Sequence, residues 1–139
     1  MMENLVKILR EGNHSLVVAN GGIHTFSGRG ISDLYNILIG NPLLLKGAKV
    51  ADKVIGKGAA AVMIAGGVDS VYAEVISSPA MDLFGKSRIG VSYGRKVDNI
   101  INRTGDDICP VEKLCLSCAT PMECLPLIEK FMTEGRSRS

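Results

Sequence analysis

Aromatic residues are scarce in this sequence, and tryptophan is absent. Phe, Trp and Tyr make up 4% of the 139 residues, whereas hydrophobic residues as a whole make up 46%. The chain can therefore bury a sizeable core, but aliphatic side chains must build that core. The length is typical of one domain. We expect a single domain over residues 1–134 and a disordered tail over residues 135–139.

Strong net charge and long apolar runs are lacking as well. The formal net charge of +2 is too small to predict a nucleic-acid-binding surface, so we expect no nucleic-acid partner. No apolar run is long enough to cross a membrane, and the first ten residues lack the core of a signal peptide. We therefore expect a cytoplasmic protein that has no membrane contact.

Cysteine is absent from the first 108 residues, and four cysteines then follow within sixteen, at positions 109, 115, 118 and 124. In a cytoplasmic protein such residues are thiols or metal ligands rather than a disulfide framework. The central C-x2-C pair is a good chelate, but the outer spacings match no standard metal site. Alternatively, Cys115, Cys118 and Cys124 are small core residues on apolar helix faces. We expect no bound metal and no other cofactor.

The remaining sequence alternates between helical and strand patterns. A hairpin turn at Gly21-Gly22 joins two β-rich runs, and helices between the later strands imply parallel pairing. The patterns predict an α/β protein, a three-layer α/β/α sandwich with a mixed sheet. The predicted helices cover residues 3–11, 33–39, 51–65, 95–102, a short segment capped by Ser78, a segment after Pro110, and Thr120 to about 133; the predicted strands cover 15–19, 23–27, 70–76 and 89–93.

The segment from Asn102 to Glu112 combines a cation, two carboxylates and a thiol just before a predicted helix. Pro110 suits the first position of that helix, which makes Cys109 its N-cap. Unpaired backbone N–H groups and the positive end of the helix dipole favour a thiolate there, so Cys109 is a candidate nucleophile. Equally, Cys109 is a small buried cap.

Two further groups of charged residues are candidate ligand contacts. Arg103, Asp106 and Asp107 either bind a ligand or form an ordinary turn in which the arginine neutralises the two carboxylates. Arg29 lies between two glycines ahead of a predicted helix, which suits a phosphate or carboxylate. A plain strand-to-helix turn explains that segment equally well, because the full glycine spacing of a nucleotide-binding motif is missing.

The succession of elements resembles the cytidine-deaminase-like fold. Zinc deaminases open one helix with His- or Cys-Ala-Glu, and the next helix with Pro-Cys-x-x-Cys. Here Val50-Ala51-Asp52 opens the predicted helix 51–65, and Ser78-Pro79-Ala80-Met81-Asp82-Leu83 follows a strand. Val50, Ala80 and Leu83 replace the three ligands and cannot bind zinc, so the resemblance implies a degenerate zinc site. It also places Asp52 where deaminases keep their proton-shuttling Glu.

More specifically, the chain is similar to the uncharacterised domain family 1893 of that superfamily. The resemblance covers roughly residues 3–133, and the family has no assigned activity. The residues that carry it are Gly28-Arg29-Gly30, Val50-Ala51-Asp52-Lys53, Gly56-Lys57, Val71-Tyr72-Ala73 through Ser77, Asn102-Arg103-Thr104-Gly105-Asp106-Asp107, Cys109-Pro110 and Glu112.

These observations predict one cleft at the ends of the parallel strands. Its candidate catalytic residues are Asp52 and Cys109, and its candidate ligand-binding residues are Arg29, Lys53, Ser77, Ser78, Arg103, Asp106 and Asp107. The function indicated is zinc-independent binding of a small polar, nucleotide-like ligand, with or without a reaction. The alternative is a non-catalytic protein, either a redox or metal sensor that uses the C-terminal cysteines or a homo-oligomeric binding module.

Overall fold

The computed structural model of the protein describes residues 2–28, 31–102 and 104–138, with side chains up to residue 134. The described helices are α1 (Met2–Glu11), α2 (Ser32–Gly40), α3 (Lys57–Gly66), α4 (Ser78–Gly85), α5 (Pro110–Cys115) and α6 (Pro121–Arg138), and a 3-10 turn covers Pro42–Leu44. The described strands are β1 (Leu16–Ala19), β2 (Ile23–Phe26), β3 (Lys49–Ile55), β4 (Ser70–Ser77) and β5 (Gly90–Val97). In this part of the chain, no helix is long and apolar enough to cross a bilayer.

The five strands form one mixed sheet in the order β2-β1-β3-β4-β5. Strand β1 is antiparallel to both of its neighbours, while β3, β4 and β5 run parallel to one another. Helices α3 and α4 make the crossovers between the parallel strands, as such connections require. The sequence-based prediction of an α/β protein with a mixed sheet is therefore confirmed.

Helices cover both faces of the sheet, which is consistent with a three-layer sandwich. On one face, Leu5 and Leu9 of α1 pack against Val17 and Ala51 of the sheet. On the other face, α2 to α6 share a larger core with alternate residues of the same strands. The helices of this second layer surround α3 and pack on it, so α3 is at the centre of the larger core.

The predicted helix over residues 51–65 is wrong in its first third. Residues 49–55 form β3, and the helix begins at Lys57, after Gly56. Strand β3 pairs with β1 on one side and β4 on the other, and these long-range partners outweigh the helical preference of the alanine-rich segment that follows.

One more predicted helix is wrong, and one predicted cap is displaced by a residue. The predicted helix over residues 95–102 is wrong, because Arg95, Lys96 and Val97 continue the ladder of β5 with β4, and residues 98–102 are not helical. The cap of α4 is Ser77 rather than Ser78, since Ser77 Oγ accepts a hydrogen bond from the Ala80 N–H at 3.2 Å. The division into a domain over residues 1–134 and a tail over residues 135–139 stays a prediction.

Candidate functional site

A cavity of about 240 Å³ lies at the carboxyl end of β3, on the face of the sheet that carries α3. Its walls come from the end of β3, the start of α3 and the segment that leads from β5 into α5. The side chains of Asp52, Lys53, Cys109 and Glu112 are among its lining residues, and apolar residues such as Ile100 supply much of the remaining wall. This cavity places polar groups in largely apolar surroundings, as small-molecule sites do.

Asp52 lies inside the sheet, where it is paired in register with Leu16 of β1 and Ala73 of β4. The residue is 8% exposed, and its Oδ1 accepts a hydrogen bond from the Val54 N–H at 3.3 Å. Burial raises the pKa of this carboxyl to about 8, although backbone hydrogen bonds partly oppose the shift. The expectation that Asp52 opens a helix is therefore wrong, and its burial favours the protonated form of the carboxyl.

Glu112 is the residue of the site that the sequence analysis missed. It is 1% exposed, and its Oε1 accepts hydrogen bonds from the Lys57 N–H at 2.8 Å and from Ser77 Oγ at 2.6 Å. Its Oε2 accepts a further hydrogen bond from the Ile100 N–H. One carboxylate thus joins the start of α3, the end of β4 and the segment after β5. The sequence marked Glu112 as a first-turn acid and a motif residue, but its partners at 57 and 77 are far away along the chain.

The structure brings together only some members of the predicted set of Asp52, Cys109 and the Ser77-Ser78 turn. Asp52 and Cys109 line the same cavity. Ser77 is fully buried and reaches the cavity through its hydrogen bond to Glu112. Ser78 is not among the lining residues, and its Oγ donates to the Val97 carbonyl at 3.3 Å.

Cys109 is the N-cap of α5, with Pro110 at the first helical position, as the sequence predicts. The hydrogen bonds expected at its sulfur are not made, because no first-turn N–H of this six-residue helix caps the thiol. The backbone of Cys109 is held instead, by Ile100 O at 2.8 Å and by the Lys113 N–H at 2.9 Å. The half-buried thiol therefore faces the cavity without the support that was expected to stabilise its negative form.

Comparison with known proteins identifies the family. The model of the family described as "TM1506: Domain of unknown function (DUF1893)" matches residues 4–132. The chain belongs to the DUF1893 family. A crystal structure of a DUF1893 family protein (TM1506) from Thermotoga maritima is similar to the chain, with a TM-score of 0.86 and 27% identity over 93% of this chain and 88% of that one. No curated protein matches the chain.

The charged residues of the segment that carries the resemblance to this family make contacts typical of a turn. Asp106 is exposed, and hydrogen bonds from Thr104 and Asn102 lower the pKa of its carboxyl. Asp107 forms an ion pair with Lys113 at 2.6 Å, and that hydrogen bond lowers the pKa of its carboxyl. Neither carboxylate is among the residues that line the cavity.

The predicted cationic contacts are only partly placed by the structure. Lys53 lines the cavity, but its Nζ donates to Asn13 Oδ1 at 2.9 Å. Lys57 begins α3, and its Nζ donates to the carbonyls of Leu116 and Cys118. Arg29 and Arg103 lie outside the described residues.

The three remaining cysteines lie away from this cavity, at the junction of α5 and α6. Cys115, Cys118 and Cys124 are buried, with 0%, 7% and 0% exposure. All three belong to the larger core of the protein. Among the described residues, no group of three or more His, Cys, Asp or Glu side chains has a geometry that could hold a metal ion.

Proposed function

We propose that this protein binds a small polar, nucleotide-like molecule in the cavity at the end of β3, through the protonated carboxyl of Asp52. The observation that carries the proposal is a buried carboxyl, 8% exposed, that lines a cavity and whose pKa burial raises to about 8. Backbone N–H groups already donate to this carboxyl, so its own O–H is the group that needs a hydrogen-bond acceptor. A carbonyl oxygen or a ring nitrogen of the ligand supplies that acceptor.

The same site suits proton transfer to or from the ligand. A carboxyl whose pKa is about 8 can release and take up a proton near neutral pH, which general acid–base chemistry requires. The Cys109 sulfur and the Glu112 carboxylate face the same cavity. In this proposal Asp52 exchanges the proton, Cys109 contacts the ligand, and Glu112 holds the cavity walls in place.

We further assign the fold to the cytidine-deaminase-like superfamily. Helices α3 and α4 follow neighbouring parallel strands, so both helices begin at the same edge of the sheet, as expected of two helices that share a zinc ion. The chain does not fit zinc there: Ala80 and Leu83 offer no lone pair, and Lys57 Nζ already donates to the carbonyls of Leu116 and Cys118. The Glu112 carboxylate bonds to the start of α3 instead.

The position of β3 also removes the equivalence between Asp52 and the proton-shuttling Glu of deaminases. That Glu belongs to the helix, whereas Asp52 lies five residues before Lys57, inside a strand. The role proposed for Asp52 therefore rests on its own burial and on the cavity.

We infer a cytoplasmic location from the four reduced thiols. Homo-oligomerisation stays a prediction.

Calorimetry and thermal-shift measurements with a panel of free nucleosides and nucleoside monophosphates test the proposal. We expect at least one member to bind and to raise the Tm of the wild type, because a ligand that binds the folded state stabilises it. Asp52→Ala should abolish that shift. Asp52→Asn should preserve most of it, since the amide is also a hydrogen-bond donor of similar shape.

Asp69→Asn is the matched control, because Asp69 is an exposed carboxylate whose partner is Lys49. This variant should bind the nucleosides like the wild type. Failure of the whole panel to bind would contradict a nucleotide-like ligand. Equal binding by Asp52→Ala and the wild type would contradict the role of Asp52.

A further inference from the structure

A second pocket, of about 200 Å³, lies between α4 and the turn that joins α5 to α6. One wall is a face of α4 that includes Asp82, together with Lys86, which follows the helix. The opposite wall is the turn, and Lys57 at the start of α3 completes the lining. This pocket shares no lining residue with the cavity at the end of β3, so its ligand is a separate question.

Lys57 brings a buried ammonium to this pocket. The residue is 8% exposed, and its Nζ donates to the carbonyls of Leu116 at 3.1 Å and Cys118 at 2.5 Å. A lysine ammonium has three N–H donors. The two carbonyls take two of them, and the third is left for a group in the pocket.

No carboxylate neutralises the Lys57 ammonium. In the part of the chain that the structure describes, the ion pairs all involve other cations. The carboxylate of Glu112 accepts from the backbone N–H of Lys57 and forms no ion pair with its side chain. Buried charges in proteins are normally paired. The two carbonyls satisfy hydrogen bonds but carry no charge, so an anion in the pocket would complete the surroundings of this cation.

The position of Lys57 in its helix adds to the cost of this charge. Lys57 is the first residue of α3, directly after the N-cap Gly56, and the first turn contains no acidic residue. The positive end of the helix dipole disfavours a cation there. The stability of α3 therefore does not explain a buried lysine at this position, whereas an anionic ligand does.

A second ammonium faces the same pocket from its rim. Lys86 is exposed, and its Nζ donates to the Ala119 carbonyl at 3.3 Å, which leaves two further N–H donors. The exposed Asp82 supplies one carboxylate, so two cations face one anion and the pocket is positive on balance. At roughly 30 Å³ for each water molecule, the pocket is large enough for a small oxyanion and a few waters.

We propose that this pocket binds a phosphate group, either as free phosphate or as part of a small monoester. The Lys57 ammonium donates its remaining N–H to one phosphate oxygen, and the Lys86 ammonium donates to another from the rim. Lysine binds phosphate as a point charge. A phosphate carries nearly two negative charges at neutral pH and has three acceptor oxygens, so it matches two ammonium groups better than a carboxylate does.

Calorimetry and thermal-shift measurements on the full-length chain test this proposal. The probes are inorganic phosphate, glycerol 3-phosphate and acetate, at an ionic strength that sodium chloride keeps constant. We expect at least one phosphate probe to bind, and to raise the Tm by at least about 3 °C at ten times its Kd. The phosphate probe that binds more tightly identifies the source of the group. Acetate should bind at least about tenfold more weakly.

Three variants test the charges of the pocket. Lys57→Met keeps most of the apolar stem and removes the ammonium, so the affinity for phosphate should fall at least about tenfold. Lys86→Met should lower the affinity about threefold, and Asp82→Asn should raise it about threefold, because solvent screens charges at the rim. Circular dichroism checks folding, and the two exposed positions keep the test valid even if Lys57→Met does not fold.

Lys49→Met is the matched control, because Lys49 is paired with Asp69 and does not line the pocket. This variant should bind phosphate like the wild type. The proposal is overturned if the wild type binds neither phosphate probe up to about 20 mM, if acetate binds equally well, or if Lys86→Met and Asp82→Asn both leave the affinity unchanged. Free nucleosides carry no phosphate, so their binding tests the cavity at the end of β3 independently.

Discussion

At the scale of single residues, Asp52 combines burial with a titratable group, and this makes the stability of the protein depend on pH. Its pKa rises from 3.8 to about 8 on folding. Between these values the unfolded chain has lost the proton while the folded chain retains it, so stability falls as the pH rises. Above pH 8 both states are ionised, and the contribution of this residue to the slope disappears.

We therefore expect Asp52→Asn to flatten the pH profile of the free energy of unfolding. The difference between the wild type and the variant should change by up to about 1.4 kcal/mol per pH unit between pH 4 and pH 8, with the variant relatively more stable at high pH. Urea denaturation across this range measures the effect. Parallel profiles for the two proteins would show that Asp52 is ionised in the folded state.

Glu112 is the residue whose loss should cost the most at the site. Its carboxylate accepts two hydrogen bonds from buried donors and one from the half-buried Ile100 N–H, whereas an amide at the same place turns an N–H₂ group toward one of these donors. We expect Glu112→Gln to lower the free energy of unfolding by about 2–4 kcal/mol. Glu129→Gln on the exposed side of α6 should change it by no more than about 0.5 kcal/mol. Similar losses in the two variants would contradict the structural role of Glu112.

At the scale of elements, close packing as well as helix propensity determines which residues α3 can contain. A Cβ on Gly58 would lie 2.5 Å from Val111 Cγ1 and 3.3 Å from Ile31 Cδ1. Gly40, at the end of α2, has nothing within 4 Å of the same position. There is therefore space for a methyl group at Gly40 but not at Gly58.

Gly58→Ala should destabilise the protein by about 1–2 kcal/mol, because overpacking outweighs the gain in helix propensity. It should also narrow the cavity, since Gly58, Val111 and Ile31 all line it. Gly40→Ala should be neutral or should stabilise the protein by up to about 1 kcal/mol. Thermal denaturation of both variants checks the pair, and a stabilised Gly58→Ala protein would show that α3 can move away from α5.

At the scale of the whole molecule, cysteines that differ in burial should differ in how far the protein must open before they are alkylated. Cys109 is half-buried and lines the cavity, while Cys115 and Cys124 are fully buried between α5, α6 and the core. Iodoacetamide should alkylate Cys109 in the folded protein, because this thiol is half-buried and lines the cavity. Cys115 and Cys124 should react only when the protein unfolds. Their alkylation rates should therefore increase with urea concentration in the same way.

Peptide mass spectrometry after timed alkylation measures these rates separately for each cysteine. Cys109 should react first, because of its exposure rather than because of its place at a helix N-terminus. If Cys115 reacts as fast as Cys109 without denaturant, then the junction of α5 and α6 opens independently of the core. In that case these buried cysteines would lie in a region that opens by itself and not in a single cooperative unit.

The sequence by itself determined the features that depend on near neighbours. Helix α1, the β1–β2 hairpin and Pro110 at the first position of α5 were predicted correctly. The predicted start of α6 near Thr120 is also correct, and Thr120 Oγ1 accepts the Glu123 N–H there at 3.3 Å. Turns, caps and helical periodicity involve residues no more than about four positions apart. A mixed α/β sheet followed from the order of these elements.

Tertiary structure alone decided whatever depends on partners far away in the chain. Residues 49–55 form a strand because β1 and β4 pair with it, and the burial of Asp52 in that strand raises the pKa of its carboxyl. Glu112 became part of the site through Lys57 and Ser77, which lie 55 and 35 positions away. Pairing, burial and hydrogen bonding at such separations arise only when the chain has folded, since no local pattern specifies which distant groups meet.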